Sequence, residues 1–155
     1  MNDRYLFRGK RKDNNEWVEG SLINCAFFNN DGFPIFYVLD TDNIEYDCWE
    51  DIAEEIDYLE VIPETVGQCT GLKDKNGTLI FERDIVESRA SENQEDWKKW
   101  IVGFSDGSFC FNREIPKKRK RKYEENLLCV DEIELYGLTV IGNVTDNPEL
   151  LEVER

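Results

Sequence analysis

Two dipeptides, Asn76–Gly77 and Asp106–Gly107, constrain the fold of this chain more than any other feature of its sequence. Asn, Asp and Gly tolerate the positive φ angles that a two-residue type I′ hairpin turn requires. Each dipeptide lies between short apolar runs of strand length, so we predict an antiparallel hairpin at both places. In the first hairpin, Asp74, Lys75 and Asn76 are expected to be turn residues exposed to water.

The remainder of the chain also consists of short apolar runs separated by polar turns. Further strands are predicted at residues 5–8, 16–23, 35–38, 85–86, 97–104, 108–115, 127–135 and 138–144. Short strands with a turn signal every 8–12 residues or so are typical of small barrels, because closure of the sheet removes exposed edges. We therefore predict a mainly β protein.

Pro63 marks the predicted domain boundary. Proline lacks a backbone donor and favours extended geometry in the residue before it, so residues 61–65 are predicted to be a connector. We expect an N-terminal β meander over residues 1–62 and an SH3-like small β-barrel over residues 63–155.

Two helices are also predicted. Trp49, Ile52, Ala53 and Ile56 have the spacing of an apolar helix face, which indicates a possible short helix in the N-terminal part. Pro148 follows a capping residue and precedes an acid, a pattern that favours a short C-terminal helix.

The absence of histidine limits the chemistry open to this chain. It removes the usual proton shuttle at neutral pH, the Ser/His and Cys/His nucleophile pairs and the commonest zinc ligand. We therefore predict a protein that is not an enzyme, with no catalytic residues, no cofactor and no metal ligands.

Cysteine usage and hydropathy indicate the compartment. The five cysteines are odd in number, widely spaced and without a Cys-x-x-Cys pair, so we expect reduced, mostly buried thiols. The N-terminus lacks an apolar signal core, and no segment approaches the roughly 20 apolar residues that cross a bilayer. A cytoplasmic protein that does not contact membranes is expected.

Acidic residues dominate the charge, with 34 Asp and Glu against 19 Lys and Arg and a formal net charge of -15. Such a surface repels nucleic acid on average. The acid-rich segment 40–60 is interpreted as a solvated face. It does not match an EF-hand calcium loop, because Ile44 occupies the fifth position, where a ligand is needed, and Glu45 occupies the sixth, where glycine is needed. Two alternatives stay open, an acidic mimic of DNA that occupies a host nucleic-acid-binding protein and a carboxylate-metal hydrolase.

A run of cations interrupts this acidic sequence near its C-terminal end. Its members are Arg113, Lys117, Lys118, Arg119, Lys120, Arg121 and Lys122. Three interpretations stay open: a solvated loop, a contact with nucleic-acid phosphates or another anion, and a contact with an acidic protein surface. These seven residues are the candidate site.

Several blocks of the sequence resemble the YopX-like family of phage and prophage proteins. They are residues 65–77, residues 81–86, Phe7–Arg11, Trp17–Leu22 and Ile141–Leu150, and together they span nearly the whole chain. The resemblance implies a phage or prophage origin, a β-rich fold with an SH3-type barrel, and no established biochemical activity. At Arg83 the family usually has glycine, and we expect a bend that accommodates Arg83 at an ordinary φ angle.

The function predicted is that of a non-enzymatic phage accessory protein that binds a macromolecule or itself in the bacterial host cytoplasm. Strand edges and apolar rims on small barrels favour self-association, so a homo-oligomer is expected. A protein partner from host or phage is the second expectation, and the nucleic-acid alternative rests on the basic run.

Overall fold

A computed structural model describes residues 3–28, 34–39, 58–89, 97–112, 127–128 and 137–151. The prediction of a mainly β protein is confirmed, because these residues form eleven strands in two antiparallel sheets. The predicted helix around Trp49 to Ile56 lies outside the described residues.

The strands are β1 Phe7–Lys10, β2 Trp17–Phe28, β3 Pro34–Leu39, β4 Tyr58–Val61, β5 Gly67–Lys73, β6 Leu79–Phe81, β7 Asp84–Arg89, β8 Trp97–Ser105, β9 Ser108–Asn112, β10 Leu127–Leu128 and β11 Thr139–Asn143. The first sheet has the order β4-β3-β2-β1-β5-β6, and the second has the order β10-β9-β8-β7-β11. By its contacts the chain divides into two compact units, Met1–Cys69 and Thr70–Arg155, and β5 runs across the division.

In the first unit the end of β4 lies beside the end of β1 and is hydrogen-bonded to it. The Ile62 backbone N–H donates to the Lys10 carbonyl at 2.8 Å, and the Lys12 backbone N–H donates to the Glu60 carbonyl at 2.9 Å. Gly9 makes this approach possible, since a Cβ at residue 9 would lie only 3.0 Å from the Val61 Cβ. The missing side chain thus lets the buried Val61 pack on the backbone of β1.

The predicted connector is a single 3₁₀ turn, Pro63–Thr65. The buried Thr65 hydroxyl donates to the Ile62 carbonyl at 2.6 Å and accepts the Lys10 N–H at 2.8 Å. One side chain therefore ties the connector to β1. The division into domains at residues 1–62 and 63–155 stays a prediction.

The second unit is built around one apolar cluster, formed by Ile80, Val86, Trp100, Val102, Phe111 and Leu138. The strand register brings these side chains together, with Val86 opposite Trp100 and Val102 opposite Phe111. The indole N–H of Trp100 donates to the Ser88 hydroxyl at 2.9 Å, so the polar edge of the largest core ring has a partner. Burial of these side chains is the main term that favours folding of this unit.

The two predicted hairpin turns differ in geometry. Asp106 and Gly107 have φ angles of 51° and 86°, both positive as a type I′ turn requires. At the first turn only Gly77 has a positive φ, and the Gly77 N–H donates to the Asp74 carbonyl at 2.9 Å while Asp74 donates to the Thr78 carbonyl at 2.8 Å. The prediction of a type I′ turn at Asn76–Gly77 is therefore wrong: the loop has three residues, a type I turn followed by a left-handed glycine.

The C-terminal segment ends in a 3₁₀ turn, Pro148–Leu151, where a short helix is predicted. Within the described residues, the outer strands of the second sheet do not pair with each other. No helix in the described part of the chain is long and apolar enough to span a membrane.

Candidate functional site

The Asp74 side chain joins a turn of the second unit to a distant strand. Its carboxylate accepts N–H groups from Asn76 at 2.8 Å, from Thr78 at 2.9 Å and from Val140 at 3.1 Å. The first two bonds shape the turn between β5 and β6. The third reaches a strand 66 residues further along the chain, so one carboxylate joins the hairpin to β11.

Asp74 is only 7% exposed, which contradicts the expectation that it is a solvated turn residue. Burial alone raises the pKa of this carboxyl group, but the hydrogen bonds from Thr78, Val140 and Asn76 lower it by more. The pKa therefore lies below the ordinary value of 3.8. Hydrogen bonds from three backbone donors explain how a charged group is retained at a buried position.

The open edge of β11 is closed by side chains of the same unit. The Val140 N–H is bound by Asp74, and the Asn143 N–H donates to the Asn147 side-chain oxygen at 3.3 Å. A Cβ at residue 142 would lie 2.5 Å from that same oxygen, so Gly142 is required for the approach of Asn147. Outward N–H groups that are already bonded cannot pair with a strand of another chain.

A tight corner at Glu82 and Arg83 carries the chain from β6 to β7. Arg83 has a φ of 69°, so the expectation of an ordinary φ at this residue is wrong. Its N–H donates to the Val102 carbonyl at 2.8 Å, and its carbonyl accepts the Val144 N–H at 2.9 Å. The buried Asp84 carboxylate accepts the Phe81 N–H at 2.8 Å and closes the corner. These bonds offset the roughly 1–2 kcal/mol that a non-glycine residue costs in this region.

The predicted basic site, Arg113 and residues 117–122, lies outside the described residues, as do residues 40–57 of the acid-rich segment. At the end of that segment, Glu60 forms an ion pair of 2.7 Å with Lys12. Among the residues that the structure describes, no group of three or more Cys, Asp or Glu side chains is placed to hold a metal ion.

Aromatic side chains of both units take part in ring contacts near the surface. On the first sheet, the Arg8 guanidinium carbon is 5.0 Å and the Lys10 ammonium 5.7 Å from the centre of the partly buried Trp17 ring. On the β8–β9 hairpin, Phe104 and Phe109 make an edge-to-face contact at 5.3 Å, and Phe104 is 55% exposed. The exposed Phe104 ring, in contact with the partly buried Phe109, is a group that association with another surface would cover.

Cys69 and Cys110 are buried thiols, in agreement with the prediction for these two cysteines. Burial raises the pKa of Cys110, although the Asn112 amide, which lies 3.2 Å from the sulfur, opposes the change. Cys110 is therefore a packing residue in its neutral form rather than a nucleophile.

Comparison with known proteins agrees with this arrangement of turns and strands. The YopX protein family matches residues 6–152. The chain belongs to the YopX family. Similar solved structures include protein EF1440 from Enterococcus faecalis, with 25% identity, a TM-score of 0.52 and coverage of 94% of this chain and 96% of that one. They also include protein yopX from Bacillus subtilis, with 21% identity, a TM-score of 0.54 and coverage of 100% of both chains. None of the curated proteins matches the chain.

Three of the five family blocks contain the polar contacts described above. Residues 65–77 contain the Asp74 turn, residues 81–86 contain the Arg83 corner, and residues 141–150 contain the Asn147 contact. Sequence reasoning did not identify Asp84 or Asn147 as key residues. For Asn147, the sequence signal was the nearby Gly142, which lets the Asn147 side chain approach the backbone. For Asp84, it was the position directly after a two-residue turn.

Replacing Asp74 by Ala is expected to lower the free energy of unfolding by about 2–4 kcal/mol, because three backbone donors lose a charged acceptor. Since the folded-state pKa of Asp74 lies below 3.8, its contribution is complete above that pH and is lost as the pH falls through the folded-state pKa. The measurement is urea unfolding of both proteins from neutral to strongly acidic pH.

The exposed neighbour Lys75 provides the matched control, and Lys75→Ala should change stability by no more than about 0.5 kcal/mol. Equal stability of Asp74→Ala and the unmodified chain at neutral pH would contradict the role assigned to Asp74.

Proposed function

We propose that this YopX-family chain is a non-enzymatic accessory protein of phage or prophage origin that acts in the bacterial cytoplasm by binding a macromolecule or itself. The proposal is supported by the contacts that polar residues of the family blocks make. Asp74, Asp84 and Asn147 accept hydrogen bonds from backbone N–H groups of their own unit. The polar residues of these blocks therefore organise the fold, and the function is assigned to the surface around them.

Self-association is the form of binding that the described surface supports best. Phe104 is 55% exposed beside Phe109, next to the tight turn at Asp106 and Gly107. The edge of β11 does not offer a competing route, since its N–H groups at Val140 and Asn143 are bonded within the unit. We assign the contact between copies to the Phe104 side of the β8–β9 hairpin.

A homo-oligomer formed in this way should dissociate when Phe104 is replaced by Ser, because the exposed ring is the apolar group that association buries. Light scattering over a range of concentrations should give a mass above that of the monomer for the unmodified chain and the monomer mass for Phe104→Ser. Tyr5→Ser is the control, since Tyr5 is a ring of the other unit that is 71% exposed. A monomer mass for the unmodified chain at every concentration would contradict the proposal.

The second candidate is binding of nucleic acid by Arg113 and residues 117–122, supported by the concentration of cations there in a chain of net charge -15. Charges further apart than the screening length of about 8 Å barely sense each other at physiological salt, so the acids elsewhere do not cancel this run.

If the six cations at residues 117–122 contact phosphates, the affinity should fall with a log-log salt slope of roughly -5. Affinity for DNA and RNA is measured at two salt concentrations for the unmodified chain and for a variant with Ser at residues 117–122. Equal affinity of the two proteins at both concentrations would remove this candidate.

We also propose that residues 63–155 form an SH3-like barrel. Backbone hydrogen bonds link the β5–β6 hairpin and the Arg83 corner to the second sheet. The Lys75 N–H donates to the Leu138 carbonyl at 3.0 Å, and the Arg83 N–H donates to the Val102 carbonyl at 2.8 Å. Contacts of this kind are what curling of a small sheet requires.

A further inference from the structure

We propose that Asn76 is a site of spontaneous deamidation, that the native turn slows the reaction, and that the product releases the β5–β6 hairpin from β11. The reaction does not depend on what the protein binds. Asn76 is the only asparagine in the sequence that is followed by glycine.

The reaction needs only water. The Gly77 backbone nitrogen loses its proton and attacks the side-chain carbonyl carbon of Asn76, which forms a C–N bond and expels the side-chain nitrogen as ammonia. Water then adds to either carbonyl of the five-membered ring and gives aspartate or isoaspartate at residue 76. No oxidant or reductant takes part.

The local structure gives water and the attacking nitrogen room. Asn76 and Gly77 are both exposed. Apart from Gly77 and its two chain neighbours, no residue has an atom within 4 Å of the place where a Cβ of Gly77 would stand, so the Gly77 Cα faces open space.

The native turn nevertheless holds the nucleophile and its neighbours in hydrogen bonds. The Gly77 N–H, whose nitrogen is the nucleophile, donates to the Asp74 carbonyl at 2.9 Å. The Asn76 N–H is held by the Asp74 carboxylate at 2.8 Å, and the Thr78 N–H is held by the same oxygen at 2.9 Å. Asn76 occupies the third position of a type I turn, and ring closure requires rotation out of that conformation. Deamidation therefore proceeds through opened turns.

The product opposes the contacts of Asp74. The Asn76 side-chain nitrogen lies 3.5 Å from the second Asp74 oxygen, which also accepts the Val140 N–H. Aspartate at residue 76 replaces this amide donor by a second negative charge, and like charges at such a distance repel. Isoaspartate in addition lengthens the backbone by one carbon inside the turn. Either product weakens the bond between Asp74 and β11.

The first experiment compares deamidation of the full chain in native buffer and in urea, at mildly alkaline pH and physiological temperature. Conversion at residue 76 is followed by peptide mass mapping with isoaspartate detection. We expect conversion in urea to be faster by roughly tenfold or more, since only opened turns react. Equal rates, or no conversion in urea, would overturn the proposal.

Variants test the role of Asp74 and the effect of the product. Asp74→Ala should raise the native rate toward the rate in urea, whereas Lys75→Ala should leave it unchanged. If Asp74→Ala does not fold, the proposal is tested by comparing Asn76→Asp with Asn76→Ser. Hydrogen exchange of the Val140 amide should be faster in Asn76→Asp than in Asn76→Ser, which lacks the added charge. Equal exchange in these two variants would contradict the predicted release of β11.

Discussion

One buried carboxylate fixes the relation between two strands that are far apart in the sequence. Asp74 holds its own turn through Asn76 and Thr78 and holds β11 through Val140. A charged group at a buried position is costly when its bonds are incomplete, because each missing donor leaves part of the desolvation penalty uncompensated. The hairpin and β11 are therefore expected to be ordered together, and the edge of β11 is closed as a consequence of the same contact.

Three of the five blocks that resemble the YopX family contribute contacts that shape the fold of the second unit. They contain the Asp74 turn, the Arg83 corner, and the turn that brings Asn147 to Gly142. Such positions require particular side chains or particular φ angles, whereas exposed strand residues tolerate many substitutions. The exposed Phe104 ring is the feature outside these blocks that we connect with binding.

The hairpins and the mainly β class could be predicted from the sequence because turn chemistry is local. Asp106 and Gly107 illustrate this, since both adopt the positive φ that their residue types favour. Two features could not be predicted locally. The burial of Asp74 depends on a donor 66 residues away, and the positive φ of Arg83 depends on bonds with Val102 and Val144. The predicted basic site is likewise a pattern of charge whose geometry depends on the rest of the fold.

The Asp74 carboxylate is ionised, buried and bound by three backbone donors. The decisive measurement is an NMR titration of the side-chain carboxyl carbon of Asp74, recorded together with the Val140 and Thr78 amide signals. We expect an Asp74 pKa below 3.8, and both amide signals should shift with that same titration. An Asp74 pKa at or above 3.8, or a Val140 amide that does not respond to the titration, would contradict this role of Asp74.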